Sequence, residues 1–461
     1  MINLRDSTKM RKLLYILLIL GVYVTAHAQD DLQKADLYFS RAYYSDAIPL
    51  YESLLPQKKN SKIIRNLADS YYHTFNMQAA AKWYEYLSTN YSEGLTAEDY
   101  FKYNQSLKAI GKFNKADDVL SYYFSSLHDT IAISKVVFDR KYISNIAAIG
   151  ERFDITNLAL NTTSSEFGAA EVDSVLIYSA ARKKTKTLPK LYRWNNQSYL
   201  DFYSHPVTKL QVSDTLSIPL SNKINSKLHE GTFAITKDRK TMYFTRNSKK
   251  KTEEEHISHL KIYKAQWVNN AWDNIIELPF NGTNFSTEHP ALSADESRLY
   301  FSSDREGGHG SFDLYYVTIL QDGFYSNPIN LGNTINTSKK EQFPFIAENG
   351  DLYFSSNGHS GFGLLDVFIS KPQNDTFSIP DNLGLPVNSG YDDFAFALNT
   401  DGTTGYFASN RPSGKGSDDI YSFTRMVPPP PPPPPPIDTT KKEEEIVEHT
   451  LILKGYILEK I

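Results

Sequence analysis

The 461-residue chain contains no cysteine. Disulfide staples, cysteine zinc sites and thiol nucleophiles are thereby excluded, and so is the acceptor for a bacterial lipid anchor. Basic charge is not in excess. Lys and Arg total 49 against 53 Asp and Glu, a formal net charge of −4, so the footprint of a nucleic-acid binder is missing. Catalytic signatures are missing too. No G-x-S-x-G elbow occurs, and Gly358-His359-Ser360-Gly361 has the wrong order. No H-E-x-x-H pairs two histidines on a helix, and the 11 histidines are scattered. No phosphate-cradling G-x-x-x-x-G-K-[ST] is present. Asn399-Thr400-Asp401-Gly402 lacks the spaced ligands and distal Glu of a calcium loop and reads as a turn. The expectation is a non-enzyme without cofactor or metal.

One apolar run stands at the start. Arg5, Lys9, Arg11 and Lys12 precede the uncharged stretch Leu13 to Val24, and Ala26-His27-Ala28 gives a small-x-small cleavage pattern. Residues 1–28 read as a secretory signal, the run being short for a membrane span. From residue 29 to 150 the pattern is helical. Ala35, Tyr38, Ala47 and Tyr51 recur 33 residues later as Ala68, Tyr71, Ala80 and Tyr84, and a third copy carries Leu107, Ala116 and Leu120. Small residues let two helices approach, and the tyrosines fill the space toward the next pair. This resembles a tetratricopeptide repeat solenoid of about three units. Ile133 to Ala148 is expected to cap or bridge it, and Tyr43, Tyr44 and Tyr72 to pack between helices.

Across 151–426 the period shortens to strand alternation, and one unit recurs five times. Its copies start at Glu166, Glu230, Glu288, Glu341 and Asp393. Each reads strand, turn, strand, glycine-rich loop, strand. Turns carry Asp295-Glu296, Asn349-Gly350 and Asp401-Gly402, residue types that accept a hairpin's positive φ. Aromatic pairs follow, such as Tyr300-Phe301 and Tyr353-Phe354. A spacing in the fifties suits four-stranded blades, and closure into a ring removes exposed sheet edges. The linker motif Leu158-Ala159-Leu160-Asn161 reappears at Leu383 to Asn388 but not after Tyr421. The expected fold is therefore α plus all-β, with a five-bladed propeller in which Phe153 to Asn161 latches the last blade; six blades is the alternative. The repeat resembles the WD-like propellers of the TolB type.

The acids Glu166, Glu230, Glu288, Glu341 and Asp393 suggest a ring around the channel, where five carboxylates could hold a cation or a basic peptide end. The competing reading is structural, with Arg182, Arg305 and Arg411 pairing with these acids within or between blades.

Residues 427–447 hold nine consecutive prolines, Pro428 to Pro436, a stiff polyproline II spacer. Residues 448–461 include Thr450 to Leu458, which reads as the first strand of a further β domain. The chain is expected to be a fragment of a longer one. This order of parts resembles OmpA-family envelope proteins of the Bacteroidetes type, including PorE-like members of the type IX secretion apparatus. That resemblance implies a periplasmic scaffold peripheral to the outer membrane, with envelope proteins as partners through the helical groove and the propeller face. It implies that a carboxypeptidase-regulatory-like domain begins at residue 448 and that peptidoglycan is bound only through a C-terminal domain this sequence lacks. A glycan- or peptide-binding sensor, or a surface adhesin, is the alternative.

Overall fold

The computed structural model describes residues 31–57, 59–182, 191–211, 214–249, 252, 258–321 and 323–426. The signal segment, the proline rod and the terminal strand lie outside these residues.

Seven helices come first among the described residues. Residues 31–40 form α1, followed by α2 (Tyr44–Leu54), α3 (Ser61–His73), α4 (Met77–Asn90), α5 (Ala97–Ala109), α6 (Phe113–Ser126) and α7 (Thr130–Ile149). Their starts are set by caps. Asn60 and Asn76 accept from the amides of Ile63 and Ala79, and Thr96 with Asp99 forms a reciprocal capping box. The repeated small and aromatic positions are the core: Ala35, Ala47, Tyr51, Ala68, Ala80, Tyr84 and Ala116 are all buried. The buried tyrosine hydroxyls are satisfied by a repeated acid. Tyr51 donates to Asp36 at 2.8 Å, and Tyr84 donates to Asp69. Burial and polar satisfaction thus recur together at the sequence period.

Twenty-two strands follow among the described residues. The five four-stranded antiparallel sheets are the blades. Blade 1 is β2 (Glu166–Val172), β3 (Val175–Ala180), β4 (Asp201–Pro206) and β5 (Ile218–Pro219). Blade 2 is β6 (Glu230–Ile235), β7 (Thr241–Asn247), β8 (Leu260–Val268) and β9 (Ala271–Glu277). Blade 3 is β10 (Thr287–Leu292), β11 (Arg298–Ser303), β12 (Asp313–Thr318) and β13 (Ile329–Asn330). Blade 4 is β14 (Glu341–Ile346), β15 (Leu352–Ser356), β16 (Asp366–Ser370) and β19 (Asp381–Asn382), with a small hairpin of β17 (Pro372–Gln373) and β18 (Thr376–Phe377). Blade 5 is β20 (Asp393–Leu398), β21 (Thr404–Ser409) and β22 (Asp419–Arg425), completed by β1 (Phe153–Asn157). In that pairing Phe153 lies opposite Arg425 and Asn157 opposite Tyr421, so the first strand latches the ring. The hairpin turns take the expected conformations, with φ near +59° at Glu296, +86° at Gly350 and +68° at Gly402.

Each linker between blades ends in an asparagine that extends the preceding sheet. Asn161, Asn225, Asn281, Asn336 and Asn388 each accept from the amide and donate to the carbonyl of one third-strand residue: Ile420, Phe202, Ile262, Leu314 and Val367 respectively. A side-chain amide presents the same donor and acceptor as a peptide group, so it substitutes for a strand residue where the chain must leave the sheet.

The helical array packs on one end of the propeller. Met77, Ala109 and Leu364 form a shared apolar cluster with Tyr72, Ile110 and Tyr391 around it. Lys108 donates to the Gly361 carbonyl at 3.0 Å, Tyr142 to Asp381 at 2.7 Å, and Arg193 pairs with Asp46 at 2.7 Å. A Cβ on Gly390 would lie 2.9 Å from both the Ala109 Cα and the Lys108 carbonyl oxygen, so only glycine allows this backbone-on-backbone approach. Tyr44 stacks on His73 at 4.6 Å and meets Trp194 edge-on. The tyrosines expected to pack between helices thus also face the propeller.

Candidate functional site: the propeller channel

The first strand of each blade lines the channel, and its first residue is fixed by register. Glu166 lies opposite Ala180, Glu230 opposite Arg246, Glu341 opposite Ser356 and Asp393 opposite Ser409. These four are equivalent and fully buried. Each accepts from a backbone amide four residues upstream, at Thr162, Ser226, Thr337 and Ser389. Three also take the hydroxyl of that residue, at 2.6–2.7 Å. Burial pushes the Glu166, Glu230 and Glu341 carboxyls up to about 7, although these hydrogen bonds pull the other way.

Glu288 does not belong to this set. It lies opposite Ser302, and Thr287 opposite Ser303 takes the acid position in blade 3. Counting back from the aromatic pair misplaces it because the hairpins differ in length. Ala291 pairs with Tyr300 across the blade 3 turn, nine residues apart, whereas Phe345 pairs with Tyr353 only eight residues on. Five equivalent carboxylates therefore do not form; four do, and the fifth is displaced by one residue.

The arginines follow the same logic. Arg411 pairs with Asp393 at 2.6 Å. Arg305 reaches no acid of the set and instead donates to Thr287 and to the Phe280 carbonyl. Arg182 donates to the Tyr178 hydroxyl at 2.6 Å and to the Leu160 carbonyl, and its charge acts on Glu166 from nearby. Blade 2 uses Arg246, directly opposite its acid, at 2.8 Å. The sequence reading passed it over because it falls two residues earlier than the others relative to the aromatic pair. Blade 4 has no arginine; Ser356 donates to Glu341 at 2.7 Å, and His359 binds the linker carbonyl of Ile335. Four of the blades lay the guanidinium over aromatic rings of the second and third strands, as Arg411 does over Phe407 and Tyr421. In blades 2 and 5 acid, cation and linker carbonyl come together, Arg246 reaching the Ile224 carbonyl and Arg411 the Pro386 and Val387 carbonyls.

Glu288 sits deeper in the channel, in a polar knot. It accepts from Gln342 at 2.5 Å and from His289 Nε2 at 3.3 Å. Burial opposes its charge, but the neighbouring His289 and these bonds leave the carboxyl below its ordinary range. His289 Nδ1 meets Thr232 Oγ1 at 2.9 Å, and its ring stacks on Phe343 at 3.7 Å. Both ring nitrogens are thus engaged, which suits a cross-brace better than a proton carrier. A bulge in every inner strand turns these residues inward, with left-handed φ of 55° at His289, 54° at Phe343 and 51° at Ala395. Such values in non-glycine residues persist only where packing holds them.

His289 marks a waist between two cavities. One, of about 270 Å³, opens away from the helices, with Phe343, Phe345 and Phe396 on its wall and Glu171, Lys237, Glu296 and Glu348 at its rim. Lys237 pairs with Glu348 at 2.9 Å across that rim. The other, of about 320 Å³, lies at the helical end, where Phe167, Tyr192, Leu200 and Leu260 stand beside Ser198, His229 and Asn247. Sequence reasoning found none of the residues particular to this second cavity, because they come from strand ends and connecting segments of different blades, which the repeat period does not group. Among the described residues, no cluster of three or more His, Asp or Glu is placed to hold a metal ion. No helix among them is long and apolar enough to cross a membrane.

No family model matches the chain, and no curated protein matches it. Solved structures do. TolB from Acinetobacter baumannii is 13% identical with a TM-score of 0.31, and the match covers 59% of this chain and 54% of that one, so the chain spans about half of that relative. RS223-β-xylosidase is 12% identical with a TM-score of 0.37, covering 60% of this chain and 96% of that one. The α-L-arabinofuranosidase from Lactobacillus brevis is 9% identical with a TM-score of 0.38, covering 63% and 94%. Likeness at this level bears on no question of function.

Proposed function

We propose that the chain is a non-catalytic scaffold that holds protein partners in the bacterial cell envelope. The observation that carries this reading is α7. Its apolar residues are spread around the helix among the charged Lys135, Asp139, Arg140 and Lys141, and it buries only Val136 and Ile146. Ile131, Val137 and Phe138 are 83%, 60% and 64% exposed. Ile131 and Phe138, seven residues apart, share one helix face, and grouped exposed apolar side chains mark an interaction site. The 33-residue recurrence of buried alanine and tyrosine supports a tetratricopeptide-like array. The N-terminal signal supports export, and we place the protein in the periplasm, peripheral to the outer membrane. The order of parts fits an OmpA-family role in type IX secretion or in linking outer membrane to peptidoglycan.

The test is a tagged chain carrying Val137→Glu and Phe138→Glu, purified from native envelope beside the parent. The reading expects an unchanged melting temperature and loss of a stoichiometric partner. Retention of every co-purifying protein by the folded variant would overturn it.

A further inference from the structure

The channel mouth that opens away from the helices is apolar where a water-filled pore would be polar. Register picks out one position on each inner strand. Ala170 lies opposite Ile177, Ala234 opposite Tyr243, Ala291 opposite Tyr300, Phe345 opposite Tyr353 and Ala397 opposite Tyr406. All five line the cavity of about 270 Å³. Four blades thus leave open the room that Phe345 takes in blade 4. Phe233, Phe343 and Ile346 add to the wall and are only half-buried. Apolar surface left uncovered in a concavity marks a binding site.

Size narrows the occupant. Small-molecule sites run from ~300 to 1,000 Å³, and this cavity lies just below that range. It suits one or two side chains carried in on a partner chain.

Charge narrows it further. The turns that join first and second strands stand around this mouth. Each carries at least one Asp or Glu, and only the blade 2 turn, residues 236–240, carries Lys or Arg. Two of its cations are already spent, Lys237 on Glu348 at 2.9 Å and Arg239 on Asp173. Arg298, which follows the blade 3 turn, lies over the Tyr316 ring of the third strand, back from the channel. Turn hydroxyls and amides hold the Asp295 and Asp401 carboxyls down at about 2, so both stay ionised at physiological pH. An acidic collar around an apolar funnel repels an anionic segment and complements a cationic one.

We infer that this mouth binds an extended segment of a partner protein, with one aromatic or aliphatic side chain in the funnel and Lys or Arg flanking it. The site goes beyond the α7 reading and does not depend on it, since it lies at the end of the propeller away from the helices.

The test selects capped peptides with randomised central positions on the immobilised, purified chain, then measures the recovered peptides by fluorescence anisotropy at low and high salt. The recovered sequences should share an aromatic or aliphatic residue flanked by Lys or Arg, and should bind more weakly as salt rises. Ala234→Phe should weaken them about tenfold or more, because it fills the funnel. Blade 4 already carries phenylalanine at the equivalent position, so the fold accommodates it there. Glu296→Gln with Glu348→Gln should weaken binding about three- to tenfold through lost rim charge. That pair alters only the rim and keeps the test open if Ala234→Phe does not fold. Val137→Glu with Phe138→Glu should leave binding unchanged, which separates this site from α7. The inference falls if no peptide is enriched or if acidic peptides are. It falls equally if folded Ala234→Phe binds as tightly as the parent, or if the α7 variant abolishes binding.

Discussion

Replacing Asn336 by alanine should destabilise the propeller out of proportion to its size. The side chain accepts from the Leu314 amide at 2.8 Å, donates to the Leu314 carbonyl at 3.0 Å and donates to Asn330 at 2.8 Å. Both Asn336 and Leu314 are buried, so water cannot replace these bonds. Truncation strands the Leu314 amide, at about 1–3 kcal/mol for one unpaired group, while the Leu314 carbonyl keeps the Leu331 amide at 3.0 Å. Local relaxation will recover part of this and the lost bond to Asn330 adds to it, so the expected loss is about 1–3 kcal/mol. Urea denaturation followed by near-ultraviolet circular dichroism measures it, as a lower midpoint at constant slope. Asn336→Asp should fall between parent and alanine, since it keeps the acceptor for Leu314 N–H and loses the donor. A change below about 0.5 kcal/mol for Asn336→Ala would refute the view that these asparagines act as surrogate strand residues, because it would sit within the scatter of surface substitutions.

Three further outcomes follow from the same contacts. Arg246→Met leaves the buried Glu230 charge without its cation and should cost about 3–5 kcal/mol, largely recovered by adding Glu230→Gln; a double variant no more stable than the single would contradict the pairing. Glu341, with its carboxyl at about 7 when folded and 4.5 ordinarily, binds its proton more tightly in the folded state. Its contribution to stability therefore falls as pH rises from about 4.5 to 7, and Glu341→Gln should flatten the pH profile of the urea midpoint across that window. His229 and His73, lowered to about 4 and about 3 by burial, act in the opposite sense but equally in both proteins, so parallel profiles would count against the assignment. Gly390→Val should drive a side chain into the Ala109 backbone, loosen the helical array and shift Trp194 emission to the red; unchanged emission and unchanged proteolysis near Gly150 would mean that this contact does not hold the two parts together.

Much of this architecture was legible in the sequence because it is periodic. Aromatic pairs at a regular spacing reveal the blades, and the missing linker after Tyr421 points to the strand that closes them. The candidate ring was legible only in part. Glu288 was misplaced because a one-residue difference in hairpin length is invisible when copies are aligned on their aromatics, yet it moves a side chain to the other face of the strand. Arg246 was missed because the cation can enter from the strand itself or from the loop beyond it. The seating of Lys108 and Gly390 could not be read, since those neighbours are set by how the helical array and the propeller meet.

The scaffold reading turns on whether α7 faces a protein in the cell. A photo-crosslinking residue in place of Phe138, activated in intact envelope, tests that directly. The account predicts a discrete adduct of defined mass that disappears when Val137→Glu is added. Crosslinking to lipid alone, or a pattern unchanged by Val137→Glu, would contradict it.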